Sequence, residues 1–99
     1  MKGTKYTMKS SVWLYPGMAG WHFVDIWKKH SKEIKKNRMP FRTGFGSVPV
    51  KVTVGKTKWK TSIFPEKSGV YVLPLKKEVR NKENISVGDL IRFSIEIRE

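Results

Sequence analysis

The sequence has no cysteine. That excludes a disulfide framework and thiol chemistry, and it fits a cytoplasmic protein. It has only two histidines, His22 and His30, separated and outside any catalytic signature. Both are expected to be packed or half-exposed side chains rather than a general base or a metal ligand. Acid is scarce: 8 Asp and Glu stand against 21 Lys and Arg, a formal charge of +13. Hard-cation sites need clustered oxygen ligands, so no metal site is expected, and no cofactor. No apolar run approaches the roughly 18 residues of a membrane span. Met1-Lys2-Gly3-Thr4-Lys5 leads into no apolar stretch of the secretory kind. Repeats, low-complexity segments and linkers are also missing, so one domain over residues 1–99 is expected.

What is present is aromatic and patterned. Four Trp, five Phe and three Tyr supply much of a modest core. Residues 5–15 alternate weakly, with Tyr6, Met8, Val12 and Leu14 on one parity, and read as a strand closed by Pro16-Gly17. Trp21 to Ile26 is a second strand. Trp27, His30 and Ile34 recur at helical spacing among lysines, which predicts an amphipathic helix over 27–38 with a narrow apolar stripe. Ser31, with Glu33 nearby, is a candidate for its true start.

The clearest alternation follows a Gly44-Phe45-Gly46 hinge. Val48, Val50, Val52 and Val54 face one way. Gly55-Lys56 turns the chain into a hairpin partner, Trp59 to Phe64. Val70 to Leu73 is a short strand, and Leu75 and Val79 share a face of a helical turn opened by Pro74. After a Gly88-Asp89 turn, Ile91, Phe93, Ile95 and Ile97 point inward. The sum is a mainly β, small single-domain, barrel-like fold of about six strands with two short helices. Closing the sheet would remove its exposed edges.

Several of these segments together resemble a known family. They are Gly44-Phe45-Gly46-Ser47-Val48-Pro49-Val50, Trp59-Lys60-Thr61-Ser62-Ile63-Phe64-Pro65, Tyr71-Val72-Leu73-Pro74-Leu75-Lys76-Lys77 with Val79-Arg80, and Val87-Gly88-Asp89. In this order they resemble the domain of unknown function nineteen-oh-five family. The Thr-Ser-x-Phe-Pro and Leu-Pro-x-Lys-x-x-Val-Arg pieces are the most specific. One departure is Ile26-Trp27, where the family's second strand often ends in Leu-Pro. The resemblance implies a small prokaryotic β barrel-like domain, sometimes followed by a second domain, with no assigned activity.

The residues offer few routes to catalysis. Gly55-Lys56-Thr57 resembles the end of a phosphate-binding loop, but Val50 stands where that loop needs glycine, so it reads as a β-turn. Asp25 and Asp89 are the carboxylates that could pair across the fold, though Asp89 after Gly88 fits a turn. Thr61 and Ser62, on opposite faces of the hairpin, are candidates for a pocket mouth together with Lys76 and Arg80. An Arg there would hold either an internal carboxylate or an anionic ligand.

Charge is the strongest signal. Lys28, Lys29, Lys32, Lys35, Lys36, Arg38 and Arg42 face Glu33 alone in their segment. The hairpin carries Lys51, Lys56, Lys58 and Lys60 with no acid between them. Basic groups interleaved with aromatics suit single-stranded nucleic acid, where lysines track phosphates and rings stack on bases. The leading expectation is a binding module without sequence specificity for nucleic acid or another polyanion, through Lys28, Lys32, Lys35, Lys36, Arg38, Arg42, Lys58 and Lys60, with Phe41 and Phe45 as stacking candidates. A second is a small anionic-ligand pocket, or an unassigned enzyme, around Thr61, Ser62, Lys76 and Arg80. For that reading a solvent-open cavity is the favourable sign, and a barrel filled by Trp21, Trp59, Val50 and Phe93 the unfavourable one. A third is a protein-interaction domain, which would need a large exposed apolar patch.

Overall fold

The computed structural model describes residues 3–17, 20–37 and 46–98. In chain order the elements are β1 (Lys5–Ser11), β2 (Trp13–Leu14), β3 (His22–Asp25), α1 (Lys28–Asn37), β4 (Val48–Val54), β5 (Thr57–Pro65), β6 (Tyr71–Pro74), α2 (Lys77–Glu83) and β7 (Leu90–Ile97). The seven strands form one antiparallel sheet in the order β1-β7-β4-β5-β6-β3-β2.

Sequence alternation predicts six strands, and the seventh arises at one residue. The 5–15 segment breaks at Val12, so β1 pairs with β7 while β2 pairs with β3 at the far end of the sheet. Two strands separated by one residue therefore occupy opposite edges of the strand order, and the sheet rolls into a nearly closed barrel. The corner is held by backbone bonds: the Val12 N–H donates to Asp89 O at 2.9 Å, and Val12 O accepts the Gly88 N–H at 2.8 Å. The seam between β1 and β3 carries its own bonds. Ser10 Oγ donates to Asp25 O at 2.7 Å, and Trp27 Nε1 donates to Lys9 O at 2.7 Å.

Inside lie the residues that alternation selects. Val48, Val50, Val52 and Val54 of β4 are buried, as are Phe93, Ile95 and Ile97 of β7 and Tyr6 and Met8 of β1. Leu14, on the same parity as Met8 in the sequence, is exposed because β2 lies beyond the corner at the sheet's other edge. Leu75 and Val79 are buried together, but α2 begins at Lys77, so Leu75 belongs to the turn before it.

The first helix starts at Lys28, and Ser31 lies inside it rather than at its cap. Ser31 has a different task. Its buried hydroxyl donates to Ile26 O at 3.1 Å and accepts the Tyr71 N–H at 3.0 Å, so it ties α1 to β6. Ser31→Ala leaves that buried N–H unpaired and should destabilise the fold by about 1–3 kcal/mol. Denaturant unfolding reads this directly; an unchanged midpoint would show that the bond contributes nothing.

Candidate functional site

The most distinctive hollow arises where two strands part. Strands β5 and β6 pair at two positions, Phe64 with Val72 and Pro65 with Tyr71. Towards Thr57, β5 continues beside β4, whereas β6 ends at Pro74, which has no N–H to extend a ladder. The chain then turns away into α2. The gap is a cleft of about 420 Å³. Trp59 and Thr61 on the inward side of β5 form one wall, with Lys60 at the rim. Pro74, Leu75, Lys76, Lys77 and Arg80 form the other, and Gly20, Trp21 and His22 close one side.

The walls are cationic. Lys60, Lys76, Lys77 and Arg80 line the cleft, and among the described residues no carboxylate does. Arg80 is half-buried, and its Nε donates to Leu75 O at 3.0 Å. That bond orients the guanidinium and leaves its four terminal N–H groups to meet a ligand. Both acids of α2 are engaged elsewhere. Glu78 pairs with Lys82 at 3.9 Å on the exposed side of the helix. Glu83 accepts the Thr57 hydroxyl at 2.6 Å, beneath the β4–β5 turn. A side chain at Gly55, whose φ is +56°, would collide with that carboxylate. Gly55-Lys56 is thus the tight turn the sequence suggests, with glycine favoured by the positive φ.

The pocket residues named from sequence separate by face. Thr61, Lys76 and Arg80 line the cleft. Ser62 lies on the opposite face of β5, paired with Pro49, and is not among the lining residues. Trp21 is not barrel filling: it is 51 % exposed. It stands just before β3, on the outward parity of Phe23, while His22 and Val24 take the inward one. Val50 and Phe93 do fill the interior, and Trp59 is partly buried against it. Trp21, His22 and Lys77 were missed as site residues. Nothing local marks them, because the cleft joins segments distant in sequence.

Trp21 also belongs to a second hollow of about 360 Å³ on the outer face, with Tyr15, Phe23, Phe64, Pro65, Glu66 and Val72. Its ring lies 5.9 Å from Phe23, which in turn contacts Trp13 at 5.3 Å and Tyr15 at 5.8 Å. This aromatic cluster holds the platform on which Trp21 stands.

The other basic residues lie elsewhere. Lys28, Lys32, Lys35 and Lys36 are exposed on α1. Ser31 anchors that helix at Tyr71, which pairs with Pro65, and Lys60 lies five residue steps, roughly 16 Å, further along β5. Lys58 and Lys60 are exposed on the outer face of β5. Arg38, Phe41, Arg42 and the 44–46 hinge, apart from Gly46, lie outside the described residues.

The remaining titratable candidates have structural duties. Asp89 Oδ2 accepts the Ser86 N–H at 2.8 Å, as its turn position suggests, and Asp25 Oδ1 accepts the Trp13 indole N–H at 2.9 Å. His22 Nδ1 donates to Gly20 O at 2.9 Å, and no hydrogen bond joins His22 to Thr61 among the described residues. His30 stacks on Trp27 at 5.6 Å and packs against Tyr6 at 4.8 Å. Burial pushes its imidazole below the usual value, Lys29 adds to the shift, and Glu33 opposes it. The sign follows. As pH falls below about 6.5 the unfolded chain takes up this proton before the folded one, so stability declines. Between pH 7.5 and 5.5 the wild type should lose more unfolding free energy than His30→Gln; equal losses would discount the buried imidazole.

Fold and cleft together define a small β-barrel module with a cationic, aromatic-walled cleft at the point where its sheet opens. The family model for Domain of unknown function (DUF1905) matches residues 9–95, and the chain belongs to that family. Among curated proteins, none matches the chain.

Proposed function

We propose that the protein is a non-enzymatic binding module that holds an anion in the cleft between β5 and α2. One observation carries this reading: Lys60, Lys76, Lys77 and Arg80 line the cleft with no carboxylate among the described residues, beside the indoles of Trp21 and Trp59. Cations gathered without internal partners repel one another, and an anionic ligand removes that repulsion. The oriented guanidinium of Arg80 gives a planar fork suited to phosphate or carboxylate. A volume of about 420 Å³ falls in the range of small-ligand sites. Binding fits better than catalysis, because Thr61, the hydroxyl in the cleft, donates no activating hydrogen bond to His22 among the described residues.

The test is a titration with inorganic pyrophosphate at low ionic strength, followed by tryptophan fluorescence and calorimetry. Saturable binding that weakens as salt rises supports the reading. No heat and no fluorescence change at about 20 mM salt, where charge is least screened, would overturn it.

A further inference from the structure

The strand register places like charges face to face in the sheet. Lys51 of β4 stands directly opposite Lys60 of β5, and Lys9 of β1 directly opposite Arg92 of β7. All four are exposed on the outer face of the barrel. Directly opposed residues have Cβ atoms about 4.5–5.5 Å apart, and like charges there destabilise a sheet. Lys5 and Lys58 add to the same face. Across β1, β7, β4 and β5, the strand carboxylate on that face among the described residues is Glu96, which stands between Lys5 and Lys51 and cannot neutralise both.

From this we infer that the ligand of the cleft is single-stranded nucleic acid whose phosphodiester backbone continues from the cleft across the outer faces of β5, β4 and β7. The inference rests on the cleft reading and extends it. Three features select this polyanion. The cations run past the cleft onto the outer face, with Lys60 common to both, so a single small anion leaves Lys51 and Lys58 unused. Trp21, 51 % exposed at the cleft, offers a ring on which an unpaired base stacks. A duplex keeps its bases inside and cannot use that ring. Thr53 and Thr7, on either side of the buried Ser94 in the register beside Lys58, offer hydroxyls to phosphate oxygens.

The experiment compares inorganic pyrophosphate, thymidine monophosphate, an oligothymidylate of about twelve nucleotides and a duplex of equal length. It uses the wild-type chain and a Lys51→Gln/Lys58→Gln variant, both substitutions lying outside the cleft. The single strand should bind at least tenfold more tightly than the mononucleotide and more tightly than the duplex. In the variant, the slope of log affinity against log salt for the single strand should shrink by about 1.4, two contacts at about 0.7 each. Its pyrophosphate affinity should not change. A single strand that binds no better than the mononucleotide, with the same slope in both proteins, overturns the track and leaves the cleft as a small-anion site. Duplex binding as tight as single-strand binding overturns the stacking role of Trp21. If pyrophosphate and oligonucleotide both fail to bind, the cleft reading itself has failed.

Discussion

Arg80→Gln should lower the affinity of the cleft for pyrophosphate by about 10- to 150-fold. A charge-assisted hydrogen bond contributes about 1.5–3 kcal/mol, and each 1.4 kcal/mol is tenfold in affinity. Arg80 is the cleft cation that the fold itself orients: its Nε is fixed on Leu75 O, whereas Lys76 and Lys77 are exposed on mobile stems. Fixing the side chain before the ligand arrives reduces the entropy lost on binding. Arg80→Lys keeps the charge and loses the fork, so its affinity should fall between the two. The comparison is made by calorimetry at one low salt concentration, with denaturant midpoints to confirm that each variant folds. Wild-type affinity in Arg80→Gln would remove this residue, and with it the main argument for the cleft.

The second large effect concerns stability, and it separates two aromatic residues that the sequence presents as equals. Phe93 lies within β7, between β1 and β4, paired with Met8 and 1 % exposed. Phe93→Ala should cost about 3–5 kcal/mol, since such a cavity refills only partly. Domains of this kind have about 5–15 kcal/mol in total. The denaturant midpoint should therefore fall steeply with little change in slope. Trp21→Ala should cost only about 0.5–1.5 kcal/mol, the scale of an aromatic pair, because what it loses is chiefly its contact with Phe23. Equal losses in the two variants would mean that Trp21 is core after all.

Much of this fold is legible in the residues, and the legible parts share one property. Alternation in 48–54 and 90–97, the tight turn at Gly55-Lys56, and the turn bond of Asp89 each depend on near neighbours in the chain. Side chains alternate across a strand with a period of two, so valines at 48, 50, 52 and 54 must share a face wherever the strand is placed. The charge excess is legible for the same reason, since counting needs no geometry. The errors cluster where distant segments meet. Ser31 looks like a helix cap when read locally and proves to be a tie to Tyr71, forty residues on. Trp21 looks like core because it is large and apolar, but its face depends on where β3 sits in the sheet.

The sequence by itself determined the fold class, the inward faces of the long strands, the family, and an unbalanced positive charge. Only the tertiary structure decided that the first strand bends at Val12 to close the barrel, that β5 and β6 part to open a cleft, and that Arg80 meets Trp21 and Trp59 there with no acid among the described residues. The physical reason is the range of the interactions. Face and turn follow from dihedral angles and side-chain periodicity within a few residues. Which strands become neighbours, and where two of them separate, follows from burying the whole apolar set at once while every backbone group inside finds a partner.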